Sequence, residues 1–108
     1  MIPFEKHVFV CTGGKTCPLD GSVEVHGRLK ELVRENGLNI QIRINHAGCM
    51  DQCGNGPMVV VYPENVWYCR VKPADADVIF HEHLVRGKPV ERLIYRPARP
   101  GPNKIERP

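Results

Sequence analysis

Four of the five cysteines in this 108-residue chain fall into two short pairs, Cys11-x5-Cys17 and Cys49-x3-Cys53. Four thiolates brought together hold either a structural zinc ion or an iron–sulfur cluster. Zinc commonly takes tighter pairs, of C-x2-C to C-x4-C type, so the first pair is wide for it. Two irons with two ligands each accept wider pairs. Glycines also crowd both pairs, at Gly13, Gly14, Gly48, Gly54 and Gly56. Backbone N–H groups can approach bridging sulfides only where no side chain intervenes. Spacing and glycines favour a cluster, with zinc as the alternative.

Other reactive residues offer less. Cys69 sits in a run, Val66-Trp67-Tyr68-Cys69-Arg70-Val71, that reads as a strand. There it shares a face with Trp67 and Val71 and is expected to act as a small buried hydrophobe. His46 precedes Cys49 by three residues, but histidine ligation of the Rieske kind uses paired histidines. His81 and His83 are two apart on a helix and face different ways. Gly14-Lys15-Thr16 lacks the earlier glycine of a phosphate-binding loop, since position 9 is Phe9. Lys15 is read as a charge on the rim of the cysteine site. With no catalytic set present, no enzyme activity is expected.

The elements that must position the cysteines are legible from their periods. His7 to Cys11 reads as a strand, apolar at consecutive positions as if covered on both faces. Ser22 is a suitable N-cap for a helix running to about Asn36, with an apolar stripe of Val25, Leu29, Leu32 and Val33. Asn36-Gly37 should end it in the left-handed conformation. Ile40 to Asn45 alternates strictly and reads as an edge strand. Met58 to Tyr62 is uniformly apolar and reads as central. Pro63-Glu64-Asn65 turns the chain into the fourth strand, and Pro73 to Gly87 supplies a second helix.

A helix joins the first two strands, which should therefore be parallel with a right-handed crossover. Central apolar strands and alternating edges give the order second, first, third, fourth. This is a four-stranded mixed sheet with two main helices, an α/β (or α+β) unit. Cys11 then closes one strand with Cys17 in its following loop, while Cys49 and Cys53 sit in the loop after the parallel neighbour. All four meet at one end of the sheet.

The length suits one domain. Hydrophobic content of 42% and charged content of 25% are ordinary for a soluble globular protein. No apolar run approaches the ~20 residues of a membrane helix, and Met1 to His7 lacks a signal-peptide layout. A cytoplasmic location is expected, where cysteines serve as ligands or free thiols rather than a disulfide framework. Residues 1–90 carry ten basic and ten acidic side chains, so the net +3 belongs to residues 91–108. That Pro- and Arg-rich stretch reads as a solvated, extended tail over 94–108, following a domain over 1–93. Neither a nucleic-acid nor a membrane partner is expected.

Several segments together resemble the thioredoxin-like 2Fe–2S ferredoxins. They are His7-Val8-Phe9-Val10-Cys11, then Cys49-Met50-Asp51-Gln52-Cys53-Gly54-Asn55-Gly56-Pro57, the following Met58 to Tyr68, and His81-Glu82-His83-Leu84 with Gly87-Lys88-Pro89-Val90. The resemblance covers about residues 5–93. It implies a thioredoxin-like fold and one 2Fe–2S cluster on Cys11, Cys17, Cys49 and Cys53. It further implies homodimers, redox partner proteins and soluble one-electron transfer. One departure stands out: free-standing members usually place the second cysteine much further from the first. The short Cys11–Cys17 spacing is closer to the related iron–sulfur subunit of NADH dehydrogenases and hydrogenases. Two alternatives to a free carrier follow, an electron-transfer subunit of such an enzyme and a zinc-stabilised interaction module.

Overall fold

The computed structural model describes residues 4–13, 21–48, 50, 55–97 and 99–101. Strand β1 (Lys6–Cys11) leads to helix α1 (Ser22–Glu35), β2 (Ile42–Ala47), β3 (Val59–Tyr62) and β4 (Val66–Tyr68). Helix α2 (Pro73–Val78) continues as a π-helical segment over Ile79–Val85, and a 3-10 turn follows at Glu91–Leu93. The sheet order is β2-β1-β3-β4, with β1 parallel to β2 and antiparallel to β3. This is the mixed sheet expected from the apolar periods. The register pairs Cys11 with Ala47, Val10 with Val59, and Val59 with Tyr68.

One core joins alternate strand residues to both helices. Val8, Val10, Ile42, Ile44, Val59 and Val61 pack with Val25, Leu29, Leu32 and Val33 of α1. Ala76, Ile79, Phe80 and Leu84 complete the same core from the second helical segment. Both helices therefore cover one face, and the cover that the apolar run of β1 implied for its other face comes from side chains of the sheet itself. Phe9, on the other face, is half-buried among rings: His7 stacks on it at 4.3 Å and Tyr62 meets it edge-on at 6.2 Å.

Three local expectations shift. Gly21, not Ser22, caps α1, and it does so with φ 95°. Ser22 becomes the first helical residue, with its buried Oγ lacking a hydrogen-bond partner among the described residues. A left-handed Cα disfavours any Cβ, and the nearest atom to a Cβ at Gly21 is 3.7 Å away, so backbone rather than crowding limits the site. Gly21→Ala should lower stability by about 1–2 kcal/mol, read as a lower unfolding midpoint in urea.

At the other end, α1 closes as expected on Gly37 at φ 67°. Leu38 N–H donates to Val33 and Gly37 N–H to Arg34, a Schellman closure. Ile42 N–H and Gln41 N–H then both donate to Leu38 C=O. This turn postpones β2 by two residues and leaves Ile40 77% exposed. The fourth strand is also shorter than expected. Arg70 adopts φ 53°, and the N–H groups of Arg70 and Val71 donate to Asn55 and Pro57. Alternation breaks there, so Val71 enters the main core beside Tyr68 instead of sharing a face with Cys69.

Candidate metal centre

Cys11 ends β1, 2% exposed, with its neighbours fixed on both sides. Its N–H donates to Met58 C=O at 3.0 Å, and Thr12 N–H donates to Ala47 C=O at 2.9 Å. The Thr12 hydroxyl reaches the same Ala47 oxygen at 3.1 Å. The β1 and β2 ends are thus stitched together where the two cysteine-bearing loops leave the sheet. The Cys11 thiol lies 3.6 Å from Gly13 C=O. Of the four expected ligands only Cys11 is described; Cys17, Cys49 and Cys53 lie outside the described residues, as does Lys15.

Cys11 and Met58 form the centre of a second apolar cluster, separate from the main core. Met50, Trp67, Cys69 and Tyr95 pack against it. Met50, which in sequence lies between Cys49 and Cys53, is thus placed against the apolar cluster that holds Cys11. This is the surrounding a thiolate-bound cluster needs: a buried sulfur and apolar neighbours that keep water out. The donor chemistry fits a 2Fe–2S centre.

Cys69 packs with Trp67 against that cluster, and burial pushes its thiol upward from the usual value. It is half-buried rather than enclosed. His46 is exposed, with its ring edge-on to His26 at 5.5 Å. His81 and His83 diverge as expected, one exposed and the other fully buried.

Sequence reading missed what His83 does. Its Nε2 lies 2.6 Å from Glu64 Oε2, and its Nδ1 lies 2.7 Å from the Tyr68 hydroxyl. Glu64 also pairs with Lys6 at 2.9 Å, and Val90 N–H donates to the Tyr68 oxygen at 2.9 Å. Burial lowers His83 below an ordinary imidazole against the pull of Glu64. Burial pushes Glu64 up, but hydrogen bonds with Lys6 and His83 outweigh it and hold the carboxyl below its usual range. Only pairing across 15 and 19 residues creates this network, so no local spacing announces it.

The last described residues also contribute. Cys69 N–H donates to Leu93 C=O, Tyr95 N–H donates to Trp67 C=O at 2.7 Å, and Ile94 bridges Tyr68. Ile94 and Tyr95 thus run beside β4. No described helix is long and apolar enough to cross a membrane.

A search against protein-family models finds no match. A 2Fe–2S ferredoxin of Aquifex aeolicus is 42% identical over 103 residues, spanning 88% of this chain and 93% of the relative. A 2Fe–2S ferredoxin of Clostridium pasteurianum is 36% identical over 103 residues, spanning 86% of this chain and 98% of the relative. The crystal structure of the wild-type thioredoxin-like [2Fe–2S] ferredoxin from Aquifex aeolicus superposes with a TM-score of 0.81 at 42% identity. That match covers 86% of this chain and 98% of the other. Sheet order, buried strand-end cysteine and near full-length identity agree, and the chain belongs to the thioredoxin-like 2Fe–2S ferredoxin family.

Proposed function

We propose that the protein is a one-electron carrier holding a single 2Fe–2S cluster on Cys11, Cys17, Cys49 and Cys53. The observation that carries this reading is Cys11, buried at the end of β1 beside the end of the parallel strand β2. Such a cluster on four thiolates supplies one reversible electron and offers no open coordination site for bond chemistry. The chain's own part is to hold and shield. Cys11 provides a sulfur fixed between Met58 and Ala47, while Met58, Met50, Trp67 and Tyr95 keep the site apolar.

Relatives named 2Fe–2S ferredoxin are matched over 93% and 98% of their own length, which favours a free carrier over a subunit of a larger oxidoreductase. The short Cys11–Cys17 spacing is what keeps the subunit reading as the second choice. Homodimers, redox-protein partners and a cytoplasmic location complete the proposal, with Lys15 on the docking rim. Zinc is the reading that a metal analysis would have to restore.

Potentiometric titration followed by EPR tests the carrier. All-thiolate ligation should place the midpoint on the order of −200 to −400 mV, well below histidine-ligated centres. A single one-electron wave with a spin-half reduced state is expected. A two-electron wave, or an EPR-silent and redox-inert metal, would overturn the reading.

We also propose that the expected 94–108 tail lies outside the cluster-binding unit only beyond Pro97, since Ile94 and Tyr95 pack against the two apolar clusters. Arg99, Pro100 and Gly101 line a surface groove with Trp67 and Tyr95 but do not enter either apolar cluster. Truncation after Pro97 keeps the Tyr95–Trp67 bond and should leave iron content, sulfide content and the dimer unchanged. Loss of cluster or dimer on gel filtration with metal analysis would make the tail structural.

A further inference from the structure

The buried phenol of Tyr68 takes no part in holding a cluster, yet its surroundings are organised around one proton. Val90 N–H donates to the Tyr68 oxygen. The hydroxyl hydrogen therefore has one remaining acceptor, Nδ1 of His83 at 2.7 Å. With Nδ1 accepting, the imidazole carries its hydrogen on Nε2 and donates it to Glu64 at 2.6 Å. Glu64 in turn is anchored by Lys6. Tyr68 and His83 are both fully buried, so no water competes for this proton.

We propose that Tyr68 and His83 form a redox-active pair. Tyr68 gives up one electron to a one-electron oxidant of high potential, such as a peroxide-derived radical. The O–H bond of Tyr68 breaks as its proton forms a bond to Nδ1 of His83. The products are a neutral phenoxyl radical, an imidazolium and the reduced oxidant. The imidazolium is met by the Glu64 carboxylate, and Val90 N–H stays on the phenoxyl oxygen. Return of one electron from a reductant reverses both transfers.

Two further features support this. Burial raises Tyr68 and lowers His83, so at neutral pH the proton rests on the phenol beside an empty imidazole nitrogen. Glu91 and Glu64 add to the pressure on the phenol, and Lys6 adds to that on His83. A route for the electron also exists. Trp67, half-buried and next in the chain to Tyr68, packs with Tyr95 against Cys11 and Met58. Oxidising equivalents that reach the cysteine-bearing end thus have Tyr68 within one residue of that wall. The pair drains them away from sulfur ligands and methionines that oxidation would damage.

The test uses the full-length protein with its metal centre oxidised, so that the centre has no electron to give. Photogenerated ruthenium(III) tris-bipyridine serves as the oxidant, read by transient absorption and EPR of the phenoxyl radical. The signal should be lost in Tyr68→Phe, kept in Tyr62→Phe and Tyr95→Phe, and formed more slowly in deuterated water. His83→Gln still accepts the Tyr68 hydrogen bond but cannot take the proton, so it should also lose the signal. Because Tyr68→Phe could fail to fold, high-field EPR of the unsubstituted protein gives a second reading. A phenoxyl bonded to imidazolium shows one sharp, lowered gx, whereas an exposed Tyr62 in water would show a broad distribution. A radical that survives in folded Tyr68→Phe, forms at the same rate in deuterated water, or has the broad gx overturns the proposal.

Discussion

Cys11→Ser should abolish normal cluster assembly, with iron and acid-labile sulfide falling to background. The hydroxyl is a harder and far more weakly acidic ligand than a thiol, and soft thiolates are what iron–sulfur centres select. At Cys11 the backbone is held on both sides. Its N–H is tied to Met58 and the next residue to Ala47, so the sulfur position is set by the sheet itself. Cys49→Ser and Cys53→Ser should behave alike. Cys69→Ser should keep the cluster, since Cys69 sits across Met58 from Cys11 and serves as part of an apolar wall. Iron and sulfide quantified in each purified variant decide the matter. A cluster lost in Cys69→Ser while Cys17→Ser retains it would show that Cys69, not Cys17, is the fourth ligand.

Acid should loosen the fold through His83 well before general carboxylate protonation does. His83 is lowered from 6.5 in the folded protein, chiefly by burial. Below that value the unfolded chain binds more protons than the folded one, so stability falls as pH drops from 6.5 toward the lower folded value. Protonated His83 would also turn an N–H toward the Tyr68 oxygen and leave the phenol hydrogen without its acceptor. Glu64, held below 4.5, adds a second loss in the same direction at lower pH. Urea midpoints measured between pH 7.5 and pH 5 should therefore decline. In His83→Gln the decline over that window should shrink, because glutamine does not titrate, leaving the part due to His26, which burial also lowers. His83→Leu should be worse at every pH, leaving the Tyr68 hydroxyl hydrogen and Glu64 without their buried partner, at a cost of about 1–3 kcal/mol. A pH-independent midpoint in the unsubstituted protein would assign no linkage to this imidazole.

The two results probe different ends of one sheet. Tyr68 lies level with Val59 and Val10 near the cysteine-bearing end, whereas Glu64 and Lys6 lie at the opposite end. His83 spans the interval from the helical side. The π-helical stretch over Ile79–Val85 is what carries it, burying Ile79, Phe80, His83 and Leu84 together. Arg28 adds a separate clamp between α1 and α2, binding Asp77 through two nitrogens at 2.8 Å each.

The sequence by itself determined the sheet order and the place of Cys11, because both follow from local periods. Val8-Phe9-Val10 and Val59-Val60-Val61 demand burial, Ile42 and Ile44 alternate with polar neighbours, and a helix between the first two strands makes them parallel. Parallel strands put their following loops at one end, which is the ground for expecting Cys11 and Cys49, 38 residues apart in sequence, at one site. Which face each helix covers was decided by tertiary structure. Two apolar faces of β1 look alike in a string, and only the packing of α1 and α2 together shows that Phe9 is covered by rings instead. Starts and stops of elements were also tertiary decisions: Gly21 and Arg70 adopt positive φ, and Leu38 closes a turn. The Lys6–Glu64–His83–Tyr68 network was invisible for the same reason. Each of its hydrogen bonds joins residues distant in the chain, and burial, which no local pattern encodes for a histidine, gives the bonds their strength.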